Sequence, residues 1–250
     1  MSGVLIVEPE SISATAVSSG TGAANLLTRS PREVWVASST AAQIIDIDLG
    51  IARPIDSFFL GATNADAAAS WTISKATGLG AGLTAIKAAG AMRAADSMGP
   101  PHHAFHRLAE PVTSRYFRLS LAQGGADPLY VGRLIVGLAF EQWREFGGGR
   151  QPVDTGSRQS QSDGGFGTSD GVVKALFNWT FGDLTNTEIN RLWGISARLG
   201  LRKPCVVVED ADLAEGQNEA IHYGVFARFQ SYERREADWG RWVFSHEEWR

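Results

Sequence analysis

Ser114–Ala122 reads SRYFRLSLA, and its alternation decides the fold. Tyr116, Arg118 and Ser120 fall on one side, and Phe117, Leu119 and Leu121 on the other. A period of two is the mark of a β-strand with one buried face. Leu129–Gly137, LYVGRLIVG, follows a turn signal at Gly124, Gly125 and Pro128, so the two segments are expected to be neighbouring antiparallel strands. Upstream, Ala42–Gly50 (AQIIDIDLG) puts Ile45, Ile47 and Leu49 opposite Asp46 and Asp48, with Gly50 placed to end the strand. Ile55–Asn64 is richer in apolar residues and reads as a central strand. Arg32–Ser38 sets Val34 and Val36 against Trp35, and Ala69–Ala76 carries Trp71 and Ile73 in phase. The fold class expected is therefore mainly β: an antiparallel β-sandwich over residues 1–140, followed by a smaller β-rich α+β domain over 141–250.

The stretch between the strands is less patterned. Thr77–Gly99 is rich in Gly and Ala and reads as a loop; Lys87 is not placed to complete a phosphate-binding loop. From Gly147 to Gly171 the chain has little to bury, and a long Gly/Ser-rich surface arm is expected. Val172–Gly182 returns to strand character. Thr185 and Glu188 then match a capping box, and Ile189, Leu192, Trp193 and Leu199 form an apolar stripe up to Gly200, which predicts a helix over about 186–199. Cys205–Asp212 is read as a buried strand entering an acidic turn, Ile221–Glu236 as a strand pair or one bent strand, and Gly240–Trp249 as the closing strand.

Composition excludes several classes of function. The chain has 250 residues and a formal charge of -4, and lysine occurs only at Lys75, Lys87, Lys174 and Lys203, so no basic stripe suited to nucleic acid exists. The predominance of arginine suits planar contacts at protein interfaces. With the single Cys205 no intrachain disulfide can form. Met1–Glu10 does not read as a signal peptide, and no apolar run approaches the length of a transmembrane helix. His102, His103 and His106 form the one histidine cluster; it lacks the second ligand set that a zinc site needs and reads as a surface loop or interface. Cys205 is read as a core thiol; nucleophilic catalysis would require a histidine partner, and nothing in the sequence favours His222 in that role. Asp210, Asp212, Glu215 and Glu219 do not match a calcium loop. Asp46 and Asp48 are read as the polar face of an edge strand rather than as an acid/base pair. No serine elbow is present. A protein without catalytic residues, metal or cofactor is expected. The aromatics from Tyr223 to Trp249 are read as core, with the last of them as subunit-interface anchors.

Several pieces taken in order carry a family resemblance: Asn25-Leu26-Leu27, Arg32 with Trp35, Ile47-Asp48-Leu49-Gly50, Pro54-Ile55-Asp56, Gly61-Ala62-Thr63-Asn64, Ser114 to Leu119, Gly132-Arg133-Leu134 and Gly137 to Phe140. Together they resemble tail-tip or baseplate proteins of long-tailed bacteriophages and prophages, whose front part is a galactose-binding-like (discoidin-like) sandwich of jelly-roll type. Pro204–Asp212 is similar to that family's proline-hydrophobic-aspartate strand. The resemblance implies a structural component of the distal tail of a virion, assembled in the host cytoplasm. Its partners would be other tail or baseplate proteins in a symmetric multi-copy assembly. The arm, with Arg150, Asp154, Arg158 and Asp163, and the C-terminal Trp242 and Trp249 are the interface candidates. The alternative is a carbohydrate-binding module contacting host-surface glycans. Sugar-binding members of this fold use polar and aromatic residues on the loops at one end of the sandwich.

Overall fold

The computed structural model describes residues 3–93, 101–160, 162, 165–212 and 218–250. The strands in chain order are β1 (Gly3–Val7), β2 (Ala14–Val17), β3 (Trp35–Val36), β4 (Gln43–Thr63), β5 (Ser70–Ala76), β6 (Thr84–Ala91), β7 (His102–Ala122), β8 (Tyr130–Gly137) and β9 (Ala139–Trp143). There follow β10 (Gly149–Asp154), β11 (Ser157–Ser160), β12 (Phe166–Ser169), β13 (Val173–Thr185), helix α1 (Asn186–Leu199), β14 (Cys205–Val208), β15 (Ile221–Phe229), β16 (Glu233–Arg234) and β17 (Trp239–Glu248). The chain folds as two units, one of residues up to 141 with 205–221, the other of 142–204 with 222–250.

The first unit is an antiparallel β-sandwich. Its main sheet has the order β3-β8-β4-β7-β5-β6, with β2 also paired to β4. Ile45, Ile47, Leu49, Phe117, Leu119 and Leu121 lie in one buried core, as the alternation requires. The two longest strands, β4 and β7, each run 21 residues and serve both layers. Ile47 pairs with Phe117 in the ladder, and Phe58 lies eleven residues further along β4. A straight strand would separate them by about 36 Å. Instead the rings of Phe58 and Phe117 meet edge to face with centroids 5.4 Å apart, so the sheet doubles back on itself around the core. The bends fall where the β4–β7 register slips, between Asp48 and Arg53, Ile55 and Ser57, and Leu60 and Thr63. The wholly buried run Ile55–Thr63 is the part of β4 flanked by β7 and β8. Covered on both faces, it cannot alternate.

Three expectations need correcting here. Gly50 does not end its strand: at φ +78° it takes the left-handed turn that lets β4 continue through a bulge. The segments Ser114–Ala122 and Leu129–Gly137 are not neighbours, because β4 lies between β7 and β8. The Gly/Ala-rich stretch after Thr77 is not all loop: it contains β6, paired to β5. Residues 94–99 of that stretch lie outside the described residues. A further ladder of this unit has the order β14-β1-β9. Every residue of β1 and β14 is buried, and Leu5, Ile6 and Val7 pair with Val208, Val207 and Val206.

In the second unit the strand order is β10-β13-β17-β15, with β16 paired to β17. Phe177, Trp179 and Phe244 stack in its core, and Phe181 meets Phe244 edge to face. Helix α1 starts at the predicted capping box: Thr185 Oγ1 accepts from the Glu188 amide at 3.3 Å, and Glu188 Oε2 accepts from the Thr185 amide at 2.8 Å. Ile189, Leu192, Ile195 and Leu199 are buried, and Gly200 ends the helix at φ +56°. Trp193 is not in that stripe; it is 60% exposed and lies flat against Trp242, 6.3 Å between ring centroids.

The arm also differs from expectation. β10 pairs with β13, and beyond them β11 pairs with β12. The Thr155 amide donates to the Val172 carbonyl at 3.2 Å, and the Val172 amide to Thr155 Oγ1 at 2.8 Å. These bonds join the β11–β12 ladder to the β10–β13 edge of the sheet as a ribbon. Backbone pairing supplies order where side-chain burial cannot.

Candidate functional site

The loops at one end of the sandwich converge on Asn64, the residue after β4. Asn64 Oδ1 accepts from the Tyr130 amide at 2.7 Å, and Asn64 Nδ2 donates to the Pro128 carbonyl at 2.9 Å. The Asn64 carbonyl accepts from Gln123 Nε2 at 3.2 Å, and Gln123 Oε1 accepts from the Asp66 amide at 3.1 Å. Asp66 Oδ1 caps the turn through the Ala68 amide at 3.0 Å, and Arg93 Nε donates to the Ala65 carbonyl at 2.7 Å. One asparagine thus ties 64–69 to 123–130. The same end carries Gln43, whose Oε1 accepts from Ser18 and Ser19. Gly124, Ala126, Asp127 and Pro128 are exposed, and Asp66 and Gln123 half-buried. The result is a polar surface on a base held by hydrogen bonds. Asn64 stands in the sequence as part of the resemblance, not as a site residue; the available signal is the Asn that ends a long apolar run, together with the Asp127-Pro128 turn.

The histidines stand elsewhere than expected. His102 and His103 are buried at the start of β7, not on a surface loop, and His106 meets Trp71 edge to face at 6.5 Å. His103 Nδ1 accepts from the Ala62 amide at 3.2 Å, an arrangement that requires Nδ1 to be the unprotonated nitrogen. Burial, and then the neighbouring Arg93, hold the His102 imidazole below its ordinary pKa, with Glu219 opposing. Among the described residues no group of three His, Cys, Asp or Glu could hold a metal ion.

The carboxylates of β4 are not on an edge strand, and they have partners. Arg118 grips Asp46 with two bonds of 2.7 and 2.8 Å, and Arg115 grips Asp48 with two of 2.7 and 2.9 Å. The hydrogen bonds from Arg115 hold Asp48 below its ordinary range. Carboxylates neutralised in this way are poor general acids and bases. Cys205 lies in the buried β14, and burial, with Glu8 adding, pushes its thiol far up. Such a thiol carries no nucleophilic thiolate. His222 is stacked on Phe177 at 5.6 Å. Asp210 Oδ1 accepts from the Asp212 amide in a tight turn at 2.9 Å, and Glu215 lies outside the described residues.

Of the interface candidates, Arg150 and Asp154 are exposed on β10, opposite Phe177 and Val173. Arg158 on β11 lies over the Phe166 ring at 4.5 Å, and Asp163 lies outside the described residues. Trp242 is no surface anchor. It is 2% exposed, packed against Phe244, with Nε1 donating to the Gln230 carbonyl at 2.7 Å. Trp249 is half-buried against Tyr223. Exposed apolar groups near the ribbon are Trp143, Phe146, Phe166 and Val173, none of which stood out in the sequence. No described helix is long and apolar enough to cross a membrane.

No protein-family model matches the chain, and no curated protein does. Solved structures do match over about half of it. A mutant of chitosan-binding module 1 of a chitosanase/glucanase from Paenibacillus sp. IK-5 is 16% identical over 53% of this chain and 99% of its own, with a TM-score of 0.43. The CBM32 of AlyQ, in complex with 4,5-unsaturated mannuronic acid, is 20% identical over 52% of this chain and 97% of its own, TM-score 0.43. The family 32 carbohydrate-binding module of NanJ from C. perfringens, in complex with galactose, is 14% identical over 53% and 98%, TM-score 0.43.

Proposed function

We propose that the chain is a non-catalytic binding protein whose sandwich presents the Asn64 loop cluster to a saccharide. The observation that carries this reading is the hydrogen-bond cluster itself, in which Asn64 spends both side-chain atoms on the opposite loop. Loops fixed in advance lose little freedom when a ligand arrives. Asp66, Gln123, Asp127 and the loop carbonyls offer the mixed donors and acceptors that match sugar hydroxyls. A glycan array followed by calorimetry on the full chain tests it. Asn64→Ala, which unties the loops, and Asp127→Ala, which removes an exposed acceptor, are each expected to weaken binding by about tenfold, 1.4 kcal/mol. Absence of binding to every glycan on the array overturns the reading.

A second reading is favoured by the ribbon of β10–β13. The two-stranded ladder β11–β12 is of a kind that is marginal in water on its own. The arm carries exposed Phe166 and Val173 together with Arg150 and Arg158, which suits docking on a protein. In that reading the chain is a structural component of a phage tail tip or baseplate, in several copies, with the ribbon packed on a neighbouring tail protein. Replacing residues 156–171 by a short turn would leave the fold intact but yield particles without completed tail tips. Normal incorporation and infectivity of that variant would exclude it.

A further inference from the structure

We propose that His103 is an acid-operated latch on the Asn64 loop cluster: with Nδ1 unprotonated it holds the Ala62 bulge of β4 closed, and on protonation it lets go. Ala62 is one of two non-glycine residues at positive φ among the described residues, +52°. This conformation is costly for a residue with a Cβ and persists only where its surroundings enforce it. The register between β4 and β7 slips there, between Leu60 and Thr63. The amide that the slip takes out of the ladder is given to His103 Nδ1 at 3.2 Å. Thr63, next in the chain, pairs with His102 and Val131 and accepts the Ala65 amide on Oγ1 at 3.3 Å. Asn64 follows immediately. The histidine therefore bears on a strained residue two positions before the one that ties both loops.

The switch is a matter of donors and acceptors. Neutral His103 offers a lone pair to the Ala62 N–H. A proton on Nδ1 makes it a donor facing a donor, and a buried amide without an acceptor costs free energy. The ring packs against Phe59 with centroids 5.3 Å apart, so it has little room to turn away. Charges reach this corner from several elements: Arg93 and Glu219 beside His102, and Arg133 on β8 opposite Gly61. The two nearby arginines oppose a further positive charge and Glu219 favours one. Burial also disfavours the charged form of the adjacent His102. Its folded pKa lies below the ordinary 6.5, so its contribution is complete above 6.5 and is lost as pH falls through the folded value.

The consequence for ligand binding rests on the saccharide reading, but the latch is read from the loops themselves. Amide exchange of the full chain, expressed as protection factors, would be followed from about pH 7.5 to about pH 5, where imidazoles titrate. Protection at Ala62 and across 64–69 and 123–130 is expected to fall by roughly tenfold, the equivalent of one pKa unit of linkage, while β5 keeps its protection. His103→Gln places an amide oxygen that accepts the same bond without titrating, and its protection should not change over that range. An unchanged wild type, or an equal fall in H103Q, overturns the latch. Should H103Q fail to fold, the nitrogen shifts of His103 in the wild type decide. Nδ1 must be unprotonated at the upper pH and must titrate together with the loss of Ala62 protection; a protonated Nδ1 there overturns the proposal. A chain that binds no glycan but shows this exchange pattern would refute the ligand and keep the latch.

Discussion

Asp48 shows how a single residue can be legible and still lack its meaning. Its alternation against Ile47 and Leu49 puts it on the polar face, and the structure agrees. Its partner lies 67 residues away, and only the β4–β7 register, which sets Asp48 opposite Tyr116, brings Arg115 within reach. The two-bond fork holds the carboxyl below its ordinary 3.8. A depressed carboxylate contributes stability above its unfolded pKa and loses it as pH falls through the folded value. Arg115→Gln should therefore lower the denaturation midpoint at about pH 5, and the gap to wild type should close towards about pH 2 as Asp48 takes up its proton. Denaturant titrations at a series of pH values check this; a gap that stays constant would mean that Arg115 acts through packing, not charge.

Among the elements, α1 was the most legible, because its start signal is local. Thr185 and Glu188 are three residues apart and need nothing else to meet. Thr185→Ala removes the acceptor for the Glu188 amide and should cost about 0.5–2 kcal/mol, seen as a lower urea midpoint with an unchanged slope. An unmoved midpoint would reject the cap's contribution. Strand phase was legible for the same reason, since a period of two is written within each strand: Leu119 and Trp71 are buried where the alternation puts them. Strand order was not. Nothing between Ala122 and Leu129 says that β4 will enter between β7 and β8, because that depends on a partner some 70 residues upstream. The ribbon escaped for a different cause. Residues such as Ser157, Arg158 and Ser169 are exposed on both faces, so no apolar period marks them. Trp193 sits one position off the buried ridge of Leu192 and Ile189, and helical spacing alone did not separate them.

On the scale of the whole molecule, the order of the chain and the units it builds do not coincide. A boundary near residue 140 is expected from composition, whereas the sandwich unit takes in 205–221 from the far half of the chain. The reason is visible in β1, whose Val4, Leu5, Ile6 and Val7 are all buried and whose ladder partner is β14. Without β14 the residues Leu5, Ile6 and Val7 lose one of the two strands that flank β1, and an apolar edge is exposed that invites association with other chains. A fragment of residues 1–141 should therefore not behave as an independent domain. It is expected to aggregate, or to unfold at a clearly lower temperature than the sandwich does in the full chain. Appending the 205–221 segment through a flexible linker should restore a soluble monomer. Light scattering and circular dichroism on the three proteins make the comparison. A monomeric 1–141 fragment as stable as the full chain would show that the composition boundary, and not the β1–β14 ladder, marks where this unit ends.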